Sequence, residues 1–184
     1  VPKNPTAKGG VDRFRKPKIK GKEICESNST EVRERDMTAK LVISFDFELG
    51  WGVLEGPEWR RREQSGLYSN MRPVLRELFD FLSAREVPST WAFVSSMLAE
   101  NPHDLELGHL PSQYQDSVLR FFSMANWETR CGVDLFEDWS AIAPFSELCS
   151  HSSTHIYADY EMLTAQQYLD DVKVSIKQLA KAHV

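Results

Sequence analysis

Three short apolar runs, at 40–47, 87–94 and 147–150, are each followed by residues that recur at helical spacing, and this alternation restricts the chain to few architectures. Strands separated by helices run parallel, because a crossover helix carries the chain back to the end of the sheet where the previous strand began. The predicted fold class is α/β with mostly parallel strands. In such folds chemistry gathers beyond the C-terminal ends of the strands. Two segments lie at such ends, LVISFDFELGWG at 41–52 and ELCSHSSTH at 147–155.

Between the strands, residues 49–68 read as a loop containing Gly50, Gly52, Gly56 and Pro57. A helix is predicted from Asn70 to Glu86, with Pro73 in its first turn and Val74, Leu75, Leu78, Phe79 and Leu82 as its apolar face. Helical turns are predicted at Ser96–Glu100 and Ser112–Met124. Ala125–Phe145 reads as irregular, packed down by Trp127, Phe136 and Trp139. A last helix starts after Thr164, where Thr-Ala-Gln-Gln has capping-box spacing, and its expected stripe is Leu169, Val172, Ile176 and Leu179.

The 184 residues suit one domain, and 41% apolar content is that of a folded globular chain. Residues 1–36 differ, combining Pro2, Pro5, Gly9, Gly10, Pro17 and Gly21 with many charges, so they read as a disordered basic tail before a domain at 37–184. Residues 1–22 carry eight Lys or Arg against Asp12 alone, a net +7, which leaves −12 on the remainder. An acidic body argues against nucleic acid as a substrate. No apolar run approaches the roughly 20 residues of a membrane span. No signal-peptide layout is seen, which makes the cytoplasm the expected location. Cys25, Cys131 and Cys149 form no CxxC pair and read as reduced thiols.

Asp46 and Glu48 close the first strand. Side chains two apart on a strand share a face, so both carboxylates can reach one site while Phe47 points the other way. The alternative is that one of them faces solvent or caps the next turn. His151 and His155 have a spacing that lets two imidazoles converge on one metal, from a helix face or a tight loop. The hydroxyls of Ser150, Ser152, Ser153 and Thr154 stand ready to orient the rings. Two histidines and one carboxylate make a three-ligand site typical of catalytic zinc, which cobalt or nickel also tolerates. Trp51, beside the acids, reads either as a flat surface on which a substrate ring could stack or as a core residue.

The order of strand, FDFE, loop, helix, STWAFV and SHSSTH resembles the polysaccharide deacetylase family over roughly 40–184. HSSTH matches the family's H-[ST]-x-x-H motif, and WAFV at 91–94 is similar to its second strand. The resemblance implies that Asp46 is the general base and that His151 and His155 hold the metal. Phe47 stands where the family usually has a second, metal-binding aspartate, so Glu48 becomes the third ligand, as in a D-x-[DE] variant. It also implies a distorted (β/α) barrel. A closed eight-stranded barrel takes roughly 250 residues, so a partial barrel is expected here. The family's later arginine and general-acid histidine are not seen, and His183, directly after a helix pattern, is not given the latter role. The implied reaction is removal of an N-acetyl group from a saccharide. Two alternatives stay open, hydrolysis of another non-peptide C–N bond on the same scaffold and a non-catalytic binding module; oligomeric state is not readable.

Overall fold

Three parallel strands, β1 (Ser44–Phe47), β2 (Ser89–Phe93) and β3 (Ser146–Ser150), lie side by side in that order in a computed structural model that describes residues 41–141 and 143–183. The basic tail assigned to 1–36, Cys25, and the expected starts of the domain at 37 and of the strand at Lys40 lie outside the described residues. Six α-helices connect and follow the strands. These are α1 (Glu58–Gln64), α2 (Leu67–Ser83), α3 (Ser112–Met124), α4 (Trp127–Arg130), α5 (Val133–Ser140) and α6 (Ala165–Ala182). The α/β class with parallel strands is thus present, as a small three-stranded sheet. No described helix is long and apolar enough to cross a membrane.

The two faces of the sheet differ in kind. In register, Phe45, Trp91 and Leu148 form one row, and Phe47, Phe93 and Ser150 the next row on the same face. Phe79 of α2 and Phe136 and Trp139 of α5 pack edge-on or tilted against these rings, with centroids 5.1–6.5 Å apart. Ser175 of α6 meets Ser150 there, hydroxyl to hydroxyl at 2.7 Å. The opposite face carries Ser44, Asp46, Thr90, Ala92, Glu147 and Cys149, all exposed or half-buried. The alternation expected for Asp46-Phe47-Glu48 therefore holds, with Phe47 in the core.

Several expectations are corrected. The first strand is shorter than 40–47 because β2 offers partners only to Ser44–Phe47, and Leu41 and Val42 remain exposed. The 49–68 loop contains α1, whose single core anchor is Trp59. Its other support is polar, ion pairs from Glu58 to Arg61 and Arg62 at 3.3 Å and bonds to Glu63 from Asn126 N–H and the Thr129 hydroxyl at 2.7 and 2.6 Å, a pattern without apolar periodicity. On α2 the buried stripe is Tyr68, Arg72, Phe79 and Leu82, which leaves Val74 exposed. Arg72 is buried because it pairs with Asp134 and donates to the carbonyls of Glu128 (3.1 Å) and Cys131 (2.6 Å). The region 125–145 holds α4 and α5 rather than irregular chain. Phe136 and Trp139 are buried there as expected, but Trp127 is exposed under the Arg72 guanidinium at 4.7 Å. On α6 the capping box at Thr164 and Gln167 is present, yet Leu169 and Ile176 face outward while Asp171 and Ser175 are buried. Cys131 and Cys149 are free thiols.

Candidate metal centre

The residue after β1 and the residue after β3 are separated by one strand, which places their backbones roughly 10 Å apart. Two long side chains reaching inward close that gap, and Glu48 and His151 do so. The Glu48 carboxylate Oε2 lies 3.5 Å from His151 Nε2 and 2.8 Å from His155 Nε2. One potential ligand atom from each of the three falls within 4.8 Å of the others. The imidazole rings are inclined at 56° with centroids 4.9 Å apart. Asp46 approaches His151 from the other edge, its Oδ1 4.0 Å from Nδ1.

Electrostatics follow from this crowding. Hydrogen bonding to His151 and then to His155 holds the Glu48 carboxyl down at about 2, against the opposing effect of its burial. The same carboxylate raises His151 above its ordinary value. Space for Glu48 is made by Gly52, where an added Cβ would sit 2.0 Å from Oε1. The donor set, a carboxylate and two imidazoles converging within one small volume, fits a divalent cation of the zinc type.

The HSSTH segment is a tight loop rather than a helix face, and it is bent sharply. Ser152 and His155 both adopt φ of 64°, and Leu49, next to Glu48, has φ of 46°. Three of the four positive-φ non-glycine residues among those described thus lie at this site, the other being Glu86. Such conformations persist only where the surroundings over-determine them, and here they do. His151 N–H donates to Phe93 O at 2.8 Å and His155 N–H to Ser152 Oγ at 2.8 Å. Ser95 and Ser96 N–H donate to Ser152 O and Ser153 O at 3.3 and 2.9 Å. The buried Tyr114 hydroxyl donates to Thr154 O at 2.9 Å. Ser153 donates through both N–H and hydroxyl to Asp171. Of the loop hydroxyls only Ser152 Oγ braces backbone, Ser150 and Ser153 bond the Ser175 hydroxyl and the Asp171 carboxylate, none bonds an imidazole ring as expected, and Thr154 Oγ1 has no partner among the described residues.

Trp51 is buried, only 1% exposed, with its indole N–H on Arg130 O at 2.8 Å. This corrects its candidacy as a sugar platform in favour of the core alternative. The exposed aromatic is Tyr157, whose ring stands edge-on to His155 at 5.0 Å. It forms a ridge between two hollows of about 220 and 190 Å³ that share His155. The first continues to Tyr168 and Val172 of α6, the second to Val53, Glu55 and Tyr114. Asp171, Tyr114 and Tyr157 were not singled out from sequence. Asp171 had one legible sign, a carboxylate in phase with Tyr168, Ser175 and Leu179 on a helix otherwise expected to bury an apolar stripe. No protein-family model, no curated protein and no solved structure matches this chain.

Proposed function

We propose that this chain is a metal-dependent hydrolase of the polysaccharide deacetylase type, which removes an N-acetyl group from a saccharide within a partial (β/α) barrel. The observation that carries the reading is the meeting of Glu48, His151 and His155 beyond the ends of two parallel strands, with Asp46 alongside. Those three residues would hold the ion, zinc before cobalt or nickel. When bound, such an ion supplies Lewis acidity that acidifies water and polarises an amide carbonyl.

The protein's own groups account for the rest. Asp46 has a side chain 67% exposed and no hydrogen-bond partner among the described residues, so it is free to take a proton from water as the oxygen attacks the acetyl carbon. The C–N bond then breaks as the nitrogen gains a proton, giving acetate and a free amine. Glu48 is the weaker base of the two acids, because hydrogen bonds from both histidines hold its carboxyl down at about 2. Tyr157 takes the part first considered for Trp51, presenting an aromatic face beside His155 on which the apolar side of a pyranose can rest.

The test is acetate release from tetra-N-acetylchitotetraose by the zinc-loaded chain, beside its metal content. Release that disappears in Asp46→Asn while metal content stays stoichiometric supports the reading. Stoichiometric metal without acetate release would redirect it to another C–N bond, to be screened with cyclic amides. A folded chain that takes up no metal sinks it.

A further inference from the structure

Asp171 is wholly buried on α6, an arrangement that is costly for a carboxylate unless charge and hydrogen bonds compensate. Its bonds run to two other parts of the molecule. Oδ2 accepts the Ser153 backbone N–H at 2.7 Å, and Oδ1 accepts the Ser153 hydroxyl. Oδ1 also meets His109 Nε2 at 3.0 Å, from the turn before α3, and the His109 side chain is itself only 14% exposed. Ser153 is the middle residue of HSSTH, two positions from each candidate ligand. The register of α6 that buries Asp171 is also the one that turns Leu169 and Ile176 toward solvent. A helix that exposes two aliphatic side chains to bury a carboxylate is held by that carboxylate.

We infer that Asp171, braced by His109, is the positioning residue of the metal centre: it clamps Ser153 and so fixes the strained loop that aims His151 and His155 at Glu48. This rests on the metal reading above. The backbone N–H groups of Ser95 and Ser96 and the Tyr114 hydroxyl hold the loop's carbonyls. Asp171 alone holds Ser153 through its donors, with charge-assisted bonds. With that clamp loosened, Ser152 and His155 can relax from φ of 64°, and the imidazoles lose their common focus. Orienting partners one step removed from a metal typically govern affinity by about 10- to 100-fold.

The experiment uses the full chain, titrated with cobalt(II) as wild type, Asp171→Asn and His109→Asn, reading affinity, the visible d–d spectrum and circular dichroism. Asp171→Asn keeps the shape but turns one acceptor into a donor. The expected result is a 10- to 100-fold weaker affinity with an altered d–d spectrum at wild-type helicity, and a smaller effect in the same direction for His109→Asn. A merely structural role lowers the melting temperature and leaves affinity and spectrum unchanged, which overturns the inference while the metal reading stands. If Asp171→Asn does not fold, Ser153→Ala is read instead, since it removes one bond to the same carboxylate; unchanged affinity and spectrum there overturn the inference equally. A wild-type chain that binds no cobalt removes both readings.

Discussion

The two halves of the candidate site are built differently. On the β3 side, His155 is 12% exposed and the loop that carries it is bonded to β2, to Ser95 and Ser96, to Tyr114 and to α6. On the β1 side, Asp46 and Glu48 are 67% and 32% exposed, and their polar neighbours are the histidines themselves. One half is held and the other can adjust. On the proposed reading, the imidazoles would supply a fixed focus, while the carboxylates would do the work that needs movement, one closing the ligand set and the other exchanging a proton with water.

The largest effect should come from removing the held half. His151→Ala/His155→Ala is expected to abolish stoichiometric zinc binding, measured by metal analysis after gel filtration, with helicity retained because neither side chain belongs to the aromatic core. On the adjustable half the two acids should separate. Asp46→Asn should cut turnover by roughly 10²- to 10⁴-fold with metal affinity changed only a few-fold. Glu48→Gln should instead weaken metal binding. Equal loss of affinity in both variants would break the distinction between base and ligand.

The placement of the two acids was legible in the sequence. Period-two alternation in SFDFE put Asp46 and Glu48 on one face and Phe47 on the other, since a strand's geometry dictates side-chain direction regardless of its neighbours. Ser112–Met124 and the cap at Thr164 were equally local and came out at the predicted positions. Apart from the short helices α1, α4 and α5, what failed depended on partners distant in the chain. Val74, Leu169 and Ile176 fit an apolar stripe by spacing, but Arg72 finds Asp134 across 62 residues and Asp171 finds His109 across another 62, and those bonds set the helix rotation instead. Trp51 was ambiguous because its neighbours in sequence are site residues, whereas its indole is anchored by Arg130 O, 79 positions away. The loop's strain at Ser152 and His155 had no sequence sign, neither residue being glycine.

Gly52 sharpens the comparison at intermediate magnitude. Gly52→Ala places a methyl against the end of the Glu48 side chain, at 2.0 Å from Oε1 and 2.4 Å from Cδ. On the adjustable side the carboxylate can swing away, so the fold should survive with little change in melting temperature. Metal affinity should fall by about 10-fold, because the third ligand loses its place while the histidines keep theirs. A large drop in thermal stability would show the β1 side to be as rigid as the β3 side. Smaller still is Tyr157→Ala, which should raise KM for the chito-oligomer about fivefold, for roughly 1 kcal/mol of ring contact, without touching metal affinity.

The smallest effect concerns the metal-free chain, where the two halves meet as an ion pair. Glu48 falls from 4.5 to about 2 because it accepts hydrogen bonds from His151 and His155, so its contribution is complete above pH 4.5 and fades as pH drops toward 2. His151 is raised above 6.5 by the same carboxylate, so its contribution is complete below pH 6.5 and is lost as pH climbs through the raised value. The site should therefore stabilise the apo chain most between about pH 4.5 and 6.5, by about 0.5–1 kcal/mol once the partial exposure of both groups is allowed for. Zinc should reverse the upper limb, because ligands must shed their protons to bind it and the holo chain gains stability as pH rises past 6.5. Urea melts from pH 3 to 8, with chelator and with zinc, check both limbs. An apo profile as flat as that of the double histidine variant would mean that Glu48 swings free of the imidazoles, and the adjustable half would then be looser than its 2.8 Å contact with His155 implies.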